Sequence, residues 1–133
     1  MTKAIRLLLT AGLLLGASLV ASAQDSVRVN VPFDFQVSGA AFPAGAYTVT
    51  RVSEGDPFTL ALQGSQGQRI AFHVGLASTR QVGASLTFHR YGDSYYLGDV
   101  TTASGKFHLP IAHAERMTSR KQAASEVSVA ASR

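Results

Sequence analysis

Between Val27 and Val37 every odd position is apolar (Val27, Val29, Val31, Phe33, Phe35, Val37), and the even positions are Arg28, Asn30, Pro32, Asp34 and Gln36. Successive side chains of a pleated strand point to opposite faces, so this period of two describes a strand with one dry and one wet face. Burying those six side chains contributes on the order of 10 kcal/mol gross, which predicts a central core strand. Pro32 has no N–H to give to a ladder, so the pattern also predicts a kink or a change of sheet between Asn30 and Phe33. Ser38 to Gly45 is turn-prone and Tyr47 to Val52 resumes as β-rich sequence, which makes the pair a long-looped hairpin.

The same alternation returns along the chain. Phe58, Leu60 and Leu62 form one apolar face, and Ile70, Phe72, Val74 and Leu76 form another; Gly64 to Gln68 lies between them, so the two runs read as a second hairpin. Ala77 to Gly83 has no clear period and reads as a loop or an irregular edge. Ser85 to Tyr91, the turn at Gly92-Asp93-Ser94, and Tyr95 to Thr101 give a third hairpin, with Leu86, Phe88, Tyr96, Leu97 and Val100 as its packing residues. Phe107 to Leu109 is a short further strand. Strands at these intervals predict an all-β fold, an antiparallel β-sandwich or small barrel of about 6–8 strands with a short C-terminal helix.

That helix is expected over 111–121, opened by Pro110, whose missing N–H costs nothing in a first helical turn. Ile111, Ala114 and Met117 or Thr118 would face the sheet. Residues 122–133, rich in Ala and Ser with two large apolar side chains, predict a flexible tail. At the other end, Lys3 and Arg6, the apolar run Leu7 to Val20 and Ala21-Ser22-Ala23 have the order of a secretory signal peptide over 1–23, cut before Gln24. The β domain would then occupy 24–110. The expected location is exported, periplasmic or extracellular, and no later segment reads as a transmembrane helix.

Composition narrows the function. The chain carries twelve Lys and Arg against eight Asp and Glu; without Lys3 and Arg6 the excess is small. The remaining basic residues are scattered singly (Arg28, Arg51, Arg69, Arg80, Arg90) apart from Arg116, Arg120 and Lys121, which argues against a nucleic-acid partner. No cysteine is present, so disulfides, thiolate metal sites and cysteine nucleophiles are excluded.

The chemistry-bearing residues are few. His73 and His89 fall on strands that could be neighbours, and His108 and His113 flank the strand-to-helix junction; with no HExxH or comparable cluster, no metal or other cofactor is expected. Ser, His and Asp are present without a G-x-S-x-G elbow, and the glycines at 64 and 67 lack the Lys-Ser or Lys-Thr of a P-loop, so no catalytic residues are assigned and the chain is expected not to be an enzyme. Asp34, between two phenylalanines, reads as a turn-capping or solvated carboxylate.

Val31-Pro-Phe-Asp-Phe35, Pro43-Ala-Gly-Ala-Tyr-Thr-Val49 and Phe88-His-Arg-Tyr-Gly-Asp93 followed by Tyr95-Tyr96-Leu97, with a helix opening after Leu109-Pro110, resemble a family of small exported bacterial β-rich proteins of unknown function. The resemblance spans most of the chain after residue 23 and implies a fold and a location but no activity. Ile111, Ala112 and Ala114 depart from the more charged segment such proteins carry after Leu-Pro.

Two functions remain. The first is an exported, non-catalytic β-sandwich module with a structural or protein-interaction role in the envelope or extracellular space, for which a flat apolar patch or open sheet edge is expected. The second is a small-ligand or glycan-binding module using the Tyr91–Tyr96 hairpin, with His89, Arg90, Tyr91, Asp93, Tyr95 and Tyr96 contacting the ligand. Tyrosines backed by Arg and Asp suit sugar stacking, and this version requires those rings to be exposed.

Overall fold

The computed structural model describes residues 26–79 and 83–131. The expected signal peptide over 1–23 and part of the expected loop at 77–83 lie outside them. The described chain is mostly β, in two sheets and one short helix.

The first sheet has four strands in the order β1 (Val27–Val31), β4 (Gly45–Ser53), β5 (Asp56–Gly64), β6 (Arg69–His73), all antiparallel. The second runs β11 (Ser125–Ala130), β8 (Ser85–Tyr91), β9 (Ser94–Thr102), β10 (Gly105–His108), β7 (Gly75–Ser78), again antiparallel. β2 (Phe35–Val37) pairs antiparallel with β3 (Ala40–Phe42) and joins the second sheet by one parallel bridge, Gln36 to Tyr96. Helix α1 (His113–Ser119) connects β10 to β11.

The three expected hairpins are present as β1–β4, β5–β6 and β8–β9. The expected change of sheet at Pro32 is also present: β1 ends at Val31 in the first sheet and β2 begins at Phe35 in the second. Both keep their apolar face inward, with Val27, Val29, Val31, Phe35 and Val37 buried. The turn region between β1 and β4 holds β3. Ser38 and Gly39 both have positive φ (49° and 86°), the backbone a two-residue I′-type hairpin requires.

Between the sheets lies one core. Phe35 stacks on Phe42 (5.7 Å between centroids) and meets Tyr47 (5.0 Å) and Phe88 (5.2 Å) edge-on. Leu62, Leu86, Val49, Val100 and Phe107 fill the rest.

Several expectations are corrected. There are eleven strands among the described residues rather than 6–8, because two predicted strands are split at sheet changes and the turn and tail add one each. The unforeseen sheet change is at Val74, between β6 and β7. It leaves Leu76 50% exposed instead of sharing a face with Phe72. Phe58, expected beside Leu60 and Leu62, is 46% exposed near the outer end of β5. The helix begins at His113, so Pro110 lies before its first turn. Ile111, Ala114 and Met117 are exposed; of the residues expected to face the sheet Thr118 does so, half-buried against Tyr96, and the residue α1 buries is Glu115. Finally, the expected flexible tail carries β11, paired with β8 over six residue pairs from Ser125–Arg90 to Ala130–Ser85. Two valines at alternate positions suffice there because the apolar surface they cover, Leu86 and Phe88, belongs to a strand forty residues earlier.

Candidate functional site

The outer face of the second sheet concentrates the polar chemistry. On β8, Thr87, His89 and Tyr91 alternate away from the core residues Leu86 and Phe88; on β9, Tyr96 and Asp99 do the same, and on β10, Lys106 and His108. Helix α1 covers part of this face. β9 is therefore buried on both sides, which explains why the adjacent Tyr96 and Leu97 are both inaccessible. No alternation in the sequence could show that.

Glu115 is the fastening. It is 3% exposed, its Oε1 lies 2.6 Å from His89 Nδ1, and it accepts from the Tyr91 hydroxyl at 3.2 Å. Tyr96 Oη pairs with Thr118 Oγ1 at 3.1 Å one turn further along. Burial, together with the carboxylate charge of Glu115 and the bond to it, pushes the Tyr91 hydroxyl above the ordinary tyrosine range; Tyr96 adds to the shift. Tyr91 is therefore held as a donor. The Nε2 end of the His89 ring lies against Gly98, where a Cβ would come within 2.7 Å of Nε2. That glycine is what lets the ring reach the helix.

A second carboxylate–histidine pair stands on the same face. His108 Nδ1 is 2.7 Å from Asp99 Oδ1, and Lys106 Nζ is 3.7 Å from Oδ2 of the same buried carboxylate. Among the described residues no three His, Cys, Asp or Glu side chains come together as a metal site. His73 sits on β6 of the first sheet, so it is not a ladder neighbour of His89; it faces Thr59 Oγ1 at 3.1 Å.

The six residues expected to contact a ligand do not form one surface. His89, Tyr91 and Tyr96 point outward under α1, and both of those tyrosines are 6% exposed. Tyr95 points the other way and stacks on Phe33 (3.8 Å, 14° between planes), with the Arg90 guanidinium 5.6 Å from its ring. Arg90 Nε also donates to the Gly92 carbonyl at 2.9 Å. Asp93 is exposed at the turn, where Gly92 has φ 61°. With Tyr95, Ser94, Asp34 and Phe42 it lines an open cleft of about 330 Å³. The expected platform of three exposed rings is thus corrected to one half-buried ring, because residues on one strand alternate between faces. Asp34 is exposed, and its Oδ1 accepts from the Ala44 N–H at 2.9 Å, tying the β1–β2 crossing to the later turn between β3 and β4. The sequence reading missed Glu115 and Asp99, whose burial depends on partners on other elements, His89 and Tyr91 for the one and His108 for the other.

A different feature stands at the side of the sandwich where the chain crosses at Val74. Val74 N–H donates to the Phe58 carbonyl at 2.8 Å, which fixes the chain to the end of the first sheet just before β7 begins; Leu76, two residues further on, is exposed. β7 pairs with β10 on one side, Leu76 opposite Phe107, and no strand among the described residues pairs with its other side.

The fold and these surfaces define a β-sandwich with a polar clamp on one face and, at β7, an edge that no strand among the described residues pairs. Comparison with protein-family models, with curated proteins and with solved structures found no match to this chain. Among the described residues no helix is long and apolar enough to cross a membrane.

Proposed function

We propose that the chain is an exported, non-catalytic β-sandwich module with a structural or protein-binding role in the envelope or extracellular space, and that its partner adds along β7. The observation that supports this reading is the β7 edge itself. Edge strands ordinarily carry Lys, Pro or an inward charge that discourages pairing. Gly75-Leu76-Ala77-Ser78 carries none of these, and its one large apolar side chain, Leu76, stands exposed. The partner of fitting chemistry is an extended segment of another protein that adds as a strand and lays an apolar side chain on Leu76. The export part rests on Lys3, Arg6, the run Leu7 to Val20 and Ala21-Ser22-Ala23. A glycan-binding use of the Tyr91–Tyr96 hairpin has less support, since two of its three rings are covered by α1.

The test is site-specific photo-crosslinking in the producing cell, with the crosslinker at position 76 and, as a control, at exposed position 117. A discrete protein adduct from 76, absent from 117 and lost on Ala77→Lys, is the expected result. Equal labelling from both positions overturns the proposal for the edge. Mass spectrometry of the secreted or periplasmic fraction should show a chain beginning at Gln24; a full-length chain in the cytoplasm overturns the proposal for export.

A further inference from the structure

The β8 edge opposite β9 is filled by β11, and the fit is lopsided. β8 contributes Leu86 and Phe88, both fully buried in the core. β11 contributes no fully buried side chain: Val127 and Val129 are half-buried, and Ser125, Glu126, Ser128 and Ala130 are exposed. Beyond its ladder with β8, β11 is held by the Thr87 Oγ1 to Ser128 Oγ contact of 3.1 Å, by Ala131 N–H donating to the Ala84 carbonyl at 2.9 Å just past its end, and by Val129 and Ala131 lying on the core on the side of β1. Most of what holds β11 is thus the ladder and the cover it gives Leu86 and Phe88, contacts that an identical strand from another chain reproduces.

The connection to β11 is equally permissive. α1 ends at Ser119, and residues 120–124 (Arg-Lys-Gln-Ala-Ala) are all exposed. Lys121 and Gln122 N–H both donate to the Thr118 carbonyl (3.0 and 3.1 Å), so these two bonds open first; the five residues then extend to about 17 Å, which lets β11 leave its own β8 while Glu115 keeps α1 docked. A strand with an exposed hinge and an edge that must be covered are the two requirements for exchange between identical chains, since each partner recovers every contact it gives up.

We propose that β11 is an exchangeable strand: the β8 edge accepts an extended antiparallel segment with valines at alternate positions, and β11 of a second copy of this chain fills it reciprocally to give a closed two-fold dimer. This surface is separate from the β7 edge, and either proposal stands without the other.

The chain has no cysteine, so a single introduced pair reports the contact. Thr87→Cys and Ser128→Cys placed in one chain should close a disulfide within that chain, which verifies the register. The two single variants are then mixed at high concentration, partly unfolded in denaturant, refolded and oxidised. The expected result is a covalent Thr87→Cys/Ser128→Cys heterodimer, in at least tenfold excess over mixtures of Thr87→Cys with the register-mismatched Ser125→Cys. Closure within the doubly substituted chain with no heterodimer above that mismatched control overturns the proposal. Wild-type chain labelled with ¹⁵N and mixed with unlabelled chain gives a readout that needs no substitution. A mixed-mass dimer in native mass spectrometry, lost when the chain is ended after Ala124, supports exchange, and a dimer that survives that truncation refutes it.

Discussion

Replacing Glu115 tests whether α1 is held by hydrogen bonds rather than by apolar packing. The helix has seven residues and buries one side chain, a carboxylate that takes bonds from His89 and Tyr91. Hydrogen bonds to a charged group contribute about 1.5–3 kcal/mol each against about 0.5–1.5 for neutral pairs. Glu115→Gln, which keeps the shape and removes the charge, should therefore cost about 1–3 kcal/mol. Glu115→Ala strands the Tyr91 hydroxyl and the His89 ring nitrogen in a buried site, at about 1–3 kcal/mol each. Urea denaturation of the wild type, Glu115→Gln, His89→Ala and the double variant closes a thermodynamic cycle, and the expected coupling between the two side chains is about 1–2 kcal/mol. Hydrogen exchange should show faster opening of the α1 amides in either single variant, while β4 and β5 amides keep their protection. A coupling below about 0.3 kcal/mol, the level of independent sites, together with unchanged α1 exchange would refute the reasoning. The helix would then be held by contacts other than the clamp.

Other consequences follow from the same face and from the turns. Gly98→Ala puts a methyl where the His89 ring lies, so it should destabilise by about 1–3 kcal/mol and be much less costly in a His89→Ala background; additive effects would contradict the contact. Tyr91 has its hydroxyl pKa raised, so its contribution to stability is complete below the ordinary tyrosine range and is lost as pH climbs through the folded value. Tyr91→Phe should flatten the fall in stability above about pH 10, measured by denaturant titration across pH, and an unchanged slope would count against it. Asp56 is held below the ordinary carboxylate range by the Thr59 hydroxyl and then by the Phe58 N–H. Its contribution is present above the unfolded value and lost as pH falls through the folded one, and Thr59→Val should move its carboxyl resonance midpoint upward in an NMR titration.

Much of the sandwich was legible because its strands carry their own period. Val27 to Val37 specified an inward face, and Pro32, with no donor for a ladder, marked where that face passes from one sheet to the other. Val74 offered no such mark, being an ordinary strand residue, so the second crossing and the exposure of Leu76 were hidden. The helix failed for a related reason. Its burial is set by what His89 and Tyr91 need from above, and a lone glutamate satisfies them where an apolar stripe was sought. β11 was invisible for a still less local reason: six residues with two valines form a strand only when another edge supplies the ladder. Of the expected contact residues, the sequence grouped those close along the chain, and strand alternation sent Tyr95 and Tyr96 to opposite faces.

The placement of β11 also has a consequence in time. β8 is complete at Tyr91, and the strand that covers its edge ends at Ala130, so a chain that emerges N-terminus first on its way across a membrane presents that edge before its cover has arrived. Leu86 and Phe88 are beside that edge throughout. A β-rich chain of this kind folds in milliseconds to seconds, so the rest of the sandwich has time to assemble around an unfilled slot. When many copies emerge close together, the first strand to reach the slot need not come from the same chain, and the rate at which chains are delivered becomes one of the variables that decides whether the product is a monomer.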